Sequence, residues 1–337
     1  MNKQAQDEVA DSEAAIISAL APLAAGAAGA FGLADDCALI TPEAGSELVL
    51  KTDPIAEGVH FFPDDAPEDI AWKALAVNVS DLVAKGARPI GYLMALAFPR
   101  APTVGWLSRF ACGLRAAQTR FGCHLIGGDT DRRPGPLTIS ITAIGAIARG
   151  RMVKRSTARE GDLLFVSGTI GDATLGLALR RAPGIAAAWG LSVAEASALR
   201  LRFARPEPRL GLAAALIEHA SAAMDISDGL VKDLGRLCAA SGASARVQLP
   251  AIPLSSACAK ATQTEPALLK RILSGGEDYE VLASVAAQKG RAFRSAAGAA
   301  GVAVTEIGGI GKGEGVLIAG SDGRPLSFER TGWDHFA

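Results

Sequence analysis

Histidine and aromatic residues are what this chain has least of. Four histidines in 337 residues, none in an HExxH arrangement, leave zinc-dependent hydrolysis little to stand on. Aromatic residues make up 5%, too few for a platform that stacks nucleic-acid bases. Net charge is nearly absent too: 34 basic side chains against 35 acidic ones give −1. Without a basic surplus there is no bulk attraction to nucleic acid or to an anionic membrane, so neither is expected as a partner. The five cysteines, at 37, 112, 123, 238 and 258, form no CxxC pair. An odd, scattered set reads as reduced cytosolic thiols, not as a disulfide framework or a zinc knuckle. Cys37, beside Asp35 and Asp36, reads as a small core residue, because nearby negative charge disfavours a thiolate. The phosphate loops GxxxxGK(S/T) and GxGxxG are missing, as is the GxSxG of serine hydrolases.

What is present is enough apolar material, 49% of residues, to fill about two domain cores. Residues 14–34 carry no charge, but they are mostly Ala and Gly and are interrupted by Pro22. Alanine has too little apolar area to hold such a stretch in lipid, and the residues before it (Asp7, Glu8, Asp11, Glu13) are acidic. A short helix over 11–20 followed by a Gly/Ala loop is expected, in a cytoplasmic protein. Residues 46–55 (SELVLKTDPI) read as a strand. Pro67 opens a helix to about Lys85, with Asn78, Asp81 and Lys85 on one face and Leu75, Val79 and Leu82 on another. Strands are expected over 91–98 and 137–147, with a helix over 104–121 between them. A second block begins near Gly150 with the strand 161–166. The fold class is therefore α/β (α+β) in two domains, 1–149 and 150–337, without a regular βαβ repeat.

Aspartate beside Gly, Ser or Thr recurs at the ends of these elements. Asp35 and Asp36 follow the Gly/Ala loop, Asp53 follows Thr52, and Asp81 follows Ser80. Asp129 lies in Gly127-Gly128-Asp129-Thr130, Asp225 and Asp228 bracket Ser227, and Asp278 lies in Gly275-Gly276-Glu277-Asp278. Hard divalent cations take oxygen ligands and need close backbone approach, so these positions suit them. Each motif alone is also ordinary turn or N-cap chemistry. Asp81, inside an amphipathic helix, is not explained that way. Spacing by itself gives an acidic site for several metals, suited to handling phosphate.

The ordered set Asp35-Asp36-Cys37-Ala38, KTDPIAEGVHF (51–61), WKALAVNVSDLVAKGARP (72–89), LIGGDT (125–130), RSTAREGDLLFVSGTIGD (155–172), RPEPRLG (205–211), DISDGLVKDLGRL (225–237), LSGGEDYE (273–280) and GWDHF (332–336) resembles the thiamine-monophosphate kinases over roughly residues 10–336. Single motifs are shared with the wider superfamily of aminoimidazole ribonucleotide synthetase, selenide water dikinase and the hydrogenase-maturation dehydratase. The resemblance implies an N-terminal α/β domain that dimerises through its strands, a C-terminal α+β domain, and ATP in a cleft between them. It implies phosphoryl transfer from ATP to thiamine monophosphate with several Mg²⁺ ions, and a homodimer.

Carried over residue by residue, the resemblance places metal at Asp36, Thr52, Asp53, Asp81, Asp129, Asp225 and Asp228. It places nucleotide at Gly128, Asp129, Arg155 and Ser227, and substrate at His60, Glu277 and Trp333. No side chain is implied as a covalent or acid–base catalyst, and Asp129 is the most critical position. The acceptor is already an ionised phosphate, so the shortage of histidine is no obstacle. Lys51 departs from the pattern, standing where a Ser or Thr is usual, as do Ala34 before the aspartates and Asp131 in a lengthened 130–136 turn. Lys51 either points away or offers its charge to a phosphate. The competing readings are an amidine-forming ligase acting on a purine precursor and a non-catalytic nucleotide-binding protein.

Overall fold

The computed structural model describes residues 7–336. The chain divides into two compact units, Met1–Leu82 with Ala87–Gly150, and Val83–Gly86 with Arg151–Ala337.

The first unit is built on a four-stranded sheet in the order β1-β4-β2-β3. The strands are β1 (Ser46–Ala56), β2 (Arg88–Phe98), β3 (His124–Arg132) and β4 (Thr138–Ala148). β4 lies antiparallel to both β1 and β2, whereas β2 and β3 run parallel. That parallel pair is joined through the helix Val104–Phe121, so the unit holds one βαβ crossover that hydrophobic patterning did not reveal. Thr103 caps this helix at its start, and Gly122, at φ 70°, ends it in the left-handed conformation.

The helix Pro67–Ala84 begins where proline is tolerated and carries Glu68 and Asp69 in its first turn, where its dipole favours negative charge. Leu75, Val79 and Leu82 are fully buried, but so is Asn78 on the other face, so the helix is enclosed all round. The buried amide is satisfied. Asn78 Oδ1 accepts from the Asp53 amide at 2.8 Å, and Nδ2 donates to the carbonyls of Asp53 (3.3 Å) and Ala74 (3.1 Å). One side chain thus stitches the helix to β1 at the aspartate of interest.

The N-terminal helix starts at Glu13 rather than Asp11, because Ser12 is its cap. The Gly/Ala stretch after it is two 3-10 segments, Ala21–Ala24 and Ala28–Leu33, not an open loop. Phe31, Gly32 and Leu33 lie in the left-handed region and turn the chain sharply just before Asp35.

The second unit is a six-stranded sheet in the order β10-β7-β9-β5-β8-β6. Its strands are β5 (Asp162–Ser167), β6 (Ala220–Ile226), β7 (Ser244–Gln248), β8 (Glu280–Ala286), β9 (Val304–Gly311) and β10 (Gly315–Ala319). Among the described residues of this sheet, β10 and β7 pair in parallel and the other pairs are antiparallel. Strand alternation splits the core into two layers. Leu164, Val166, Met224 and Leu282 join one apolar cluster with the helices Asp172–Arg181 and Leu230–Ser241. Phe165, Ala223, Val281 and Val285 join the other, with Leu216 and Phe293. Both faces are therefore covered, as an α+β unit requires. Among the described residues no helix is long and apolar enough to cross a membrane.

Replacing Asn78 by Leu should leave the Asp53 amide without its partner. We expect a loss of about 2 kcal/mol in stability, read from the urea midpoint.

Candidate functional site

In the first unit the outward face of the sheet and the N-terminal segment enclose a cavity of about 680 Å³. Asp35, Asp36, Asp129, Thr130 and Thr142 supply its oxygen atoms, while Ile16, Leu33, Leu93 and Ile144 supply apolar wall. Gly128 forms part of the floor, and a Cβ there would lie 1.9 Å from the Met94 carbonyl oxygen. Its glycine is thus already required by the tight approach of β2 and β3, before any ligand is considered. The Asp129 Oδ1 accepts from the Thr130 amide at 2.9 Å, which fixes the carboxylate within β3, not at the strand end expected from the sequence. The Thr130 hydroxyl is buried and, among the described residues, has no hydrogen-bond partner. It was not among the residues singled out from the sequence, although the hydroxyl next to Asp129 in GGDT was a visible signal.

Thr52 reaches the same face. It pairs with Thr142 across β1 and β4, donates to the Ile141 carbonyl at 3.1 Å and accepts from the Thr142 hydroxyl at 3.1 Å. Its neighbours in sequence point the other way, because strand side chains alternate. Lys51 and Asp53 turn towards the helix Pro67–Ala84, where Lys51 Nζ lies 3.0 Å from Asp53 Oδ2 and 2.9 Å from Asp81 Oδ2. Burial opposes the lysine's charge, but the Asp81 and Asp53 carboxylates outweigh it and raise its pKa. Asp53 and Asp81 do not line the cavity. His60 sits just past the strand; its Nδ1 accepts from the Ala56 amide at 3.1 Å, and its carbonyl accepts from Lys73 at 2.7 Å.

In the second unit two of the motifs meet. The Glu277 amide donates to the Ser227 carbonyl and the Tyr279 amide to the Ile226 carbonyl, both at 2.8 Å. A Cβ at Gly276 would lie 2.2 Å from the Ser227 carbonyl oxygen, so only glycine permits this approach. Glu277 (φ 75°) and Tyr279 (φ 50°) both hold left-handed conformations that non-glycine residues rarely adopt. The loop around Ser227 is organised by Asp233, a fully buried carboxylate that accepts from the amides of Ser227 (3.0 Å) and Asp228 (2.8 Å). Burial pushes the Asp233 pKa up. Asp228 itself meets Arg236 at 2.7 Å and Lys232 at 3.4 Å. The chain end docks on the same loop: the Trp333 amide donates to the Asp228 carbonyl at 2.9 Å, and Lys232 donates to the Trp333 carbonyl. The Trp333 ring stays half exposed, edge-on to His335. Asp225 is buried in β6. Arg155 is exposed, its carbonyl held by the Ser241 hydroxyl, and Glu160 pairs with Lys312 instead of with it.

Behind this loop the GGEDYE motif is structural. Asp278 is buried and takes the Gly171 amide on both oxygens, at 3.0 and 2.9 Å. Glu280, fully buried, binds Arg202 at 2.9 Å and Arg209, and accepts from the Ser167 hydroxyl at 2.6 Å. Of the acidic residues in that motif, Asp278 is therefore a scaffold residue and not a metal candidate.

The sequence-predicted carboxylates thus fall into separate groups: Asp35, Asp36 and Asp129 at the cavity, Asp53 with Asp81 at Lys51, and, in the second unit, Asp225 buried in β6 and Asp228 against Arg236 and Lys232. Among the described residues no three His, Cys, Asp or Glu side chains form a ready metal cage. Mg²⁺ does not need one. It keeps several waters and is usually held by one or two carboxylates together with substrate phosphates. The all-oxygen donors at the cavity and the orphaned Thr130 hydroxyl fit such an ion.

Two cores of this topology, with acidic loops at strand ends, define the class, and the chain belongs to the AIR synthase related protein family. The family's N-terminal domain matches residues 34–147 and its C-terminal domain residues 159–319. Within it the chain sits among the thiamine-monophosphate kinases. It is 40% identical over 319 residues to the thiamine-monophosphate kinase of Caulobacter vibrioides, covering 94% of this chain and 88% of that one. The crystal structure of a thiamine-monophosphate kinase from Stenotrophomonas maltophilia superposes with a TM-score of 0.80 at 36% identity, covering 94% of this chain and 98% of the other. A structure described as AaThiL complexed with AMPPCP and TMP superposes with a TM-score of 0.76 at 32% identity, covering 96% and 97%.

Burial raises the Asp278 pKa well above the ordinary carboxylate value. The folded state therefore binds this proton more tightly than the unfolded state. Its stabilising contribution is full below the unfolded pKa of about 4 and is lost as pH rises through the folded value. Asp278→Asn, which cannot ionise, should lose less stability with rising pH than the wild type. The difference in slope is at most about 1.4 kcal/mol per pH unit, and denaturant midpoints across pH 4–9 check it.

Proposed function

We propose that this protein phosphorylates thiamine monophosphate to thiamine diphosphate, with ATP as donor and Mg²⁺ as the required ion. The observation that carries the reading is the oxygen-lined cavity floored by Gly128, Asp129 and Thr130, in a chain 40% identical to a thiamine-monophosphate kinase over nearly its whole length. A volume of about 680 Å³ is within the range of small-molecule and cofactor pockets.

The acceptor phosphate oxygen attacks the γ-phosphorus in line, the bond to the β-phosphate oxygen breaks, and ADP leaves. Donor and acceptor are both anions, so the chemistry asks chiefly for positioning and charge neutralisation, not for a covalent enzyme intermediate. Bound Mg²⁺ supplies that neutralisation and a fixed geometry for the transferring oxygens. Asp36, Thr52, Asp129, Asp225 and Asp228 are the residues assigned to hold it; Asp53 and Asp81, which the resemblance assigns with them, are bridged by Lys51. Gly128 and Asp129 serve the polyphosphate, the glycine by letting backbone approach. Arg155 offers a two-pronged donor and Ser227 its hydroxyl. His60, Glu277 and Trp333 are assigned to thiamine monophosphate. A half-exposed indole suits a cationic ring, and a carboxylate suits its polar edge.

Assembly as a homodimer through the first unit belongs to the same reading. Its support is the outward face of β1, where Leu50 is 65% exposed and Leu48 38%, a cost that a partner copy would remove.

Purified protein should form thiamine diphosphate only with ATP and Mg²⁺ together, measured by chromatography of the products. ATP turnover on a purine precursor alone would favour the ligase, and tight ATP binding without turnover the non-catalytic reading. Asp129→Asn should lower kcat by about 10²-fold or more, while an exposed position shifts Tm by no more than about 2 °C. Leu50→Glu should convert the dimer to monomer in sedimentation velocity without unfolding it.

A further inference from the structure

Two carboxylates that each touch one ammonium, at 3.0 and 2.9 Å, can stand no more than about 6 Å apart. Left alone at that separation, in a half-buried position, Asp53 and Asp81 would repel each other. A divalent cation could remove the conflict by drawing their oxygens to about 2 Å from itself. Here a side chain of the protein removes it instead. Lys51 stands two residues before Asp53 on the same edge strand, so its stem runs along β1 and its Nζ reaches the gap between strand and helix. Asn78 fixes the Asp53 backbone from the same helix that carries Asp81. Among the described residues Lys51 pairs with no other acid, so its ammonium is committed to this pair.

We infer that Lys51 is a tethered cation that fills the Asp53–Asp81 position in place of a divalent ion, so that the protein loads one ion fewer than its carboxylates could hold. A metal and the ammonium cannot share the point between the two Oδ2 atoms. The remaining donors at the cavity, Asp35, Asp36, Asp129 and the Thr130 hydroxyl, are left for divalent cation. The inference rests on the proposed metal dependence, but it concerns the number of ions and not the reaction.

Mn²⁺ serves as the probe, counted by electron paramagnetic resonance on the full chain with a non-hydrolysable ATP analogue and no acceptor. Lys51→Thr should bind one more Mn²⁺ per chain than the wild type, and Lys51→Arg, which keeps the charge, should not. The double variant Lys51→Thr/Asp81→Asn should return to the wild-type count. Without metal, Lys51→Thr should melt below the wild type and recover when Mn²⁺ is added. If Lys51→Thr does not fold, Lys51→Met, which keeps the stem, takes its place with the same expectation. An unchanged count in the charge-removing variant overturns the inference. If the count is unchanged and affinity for the analogue falls tenfold or more, the ammonium belongs to a phosphate instead. The count is read without turnover, so it stands whether or not the wild-type protein makes thiamine diphosphate.

Discussion

Negative charge crowded into small spaces is the constraint on which this structure turns. The chain is almost neutral as a whole, yet its acids gather at a few loop and strand ends, where Coulomb repulsion is poorly screened. Each gathering is resolved by a different device. Backbone amides satisfy Asp233 and Asp278, where burial favours the proton over the charge. Arg202 and Arg209 clamp Glu280 from two sides. Lys232 and Arg236 cover Asp228, and Lys51 lies between Asp53 and Asp81. Around Asp35, Asp36 and Asp129 the acids are set about an open cavity, with a hydroxyl beside them that no described residue satisfies.

The distinction separates acids that build the protein from acids that the proposed function places for a ligand. Asp278 and Glu280 sit three and five residues after Gly275, in the same motif as Glu277. Yet they are buried and bonded while Glu277 lies at the turn. Their pairing partners lie 71 to 113 positions away in sequence, which is why a motif reading treats all three alike. Arg202 and Arg209 are ordinary surface candidates until the fold places them against Glu280.

Much of the fold could be read from the residues. β-branched residues in SELVLKTDPI, Pro67 before an apolar helix, and Gly122 after the next helix are local signals, and each element begins or ends within a few residues of the expected place. The 3-10 turns over 21–33 were not legible, because Ala and Gly carry no periodicity of burial. Nor was the parallel pairing of β2 with β3, which depends on register across a helix. At the candidate site the residue types were legible but their grouping was not. Alternation along β1 sends Thr52 to one side and Lys51 and Asp53 to the other, and only the helix position of Asp81 shows what the lysine meets.

Glu277 and Tyr279 hold a turn whose natural tenant is glycine. Each left-handed non-glycine residue is a standing cost of about 1 kcal/mol or more. A laboratory selection that rewards heat resistance alone would therefore drift towards Gly or Asn at 277. It would harvest the relief and discard the carboxylate, and, under the substrate role proposed for Glu277, durability would rise as substrate discrimination declined.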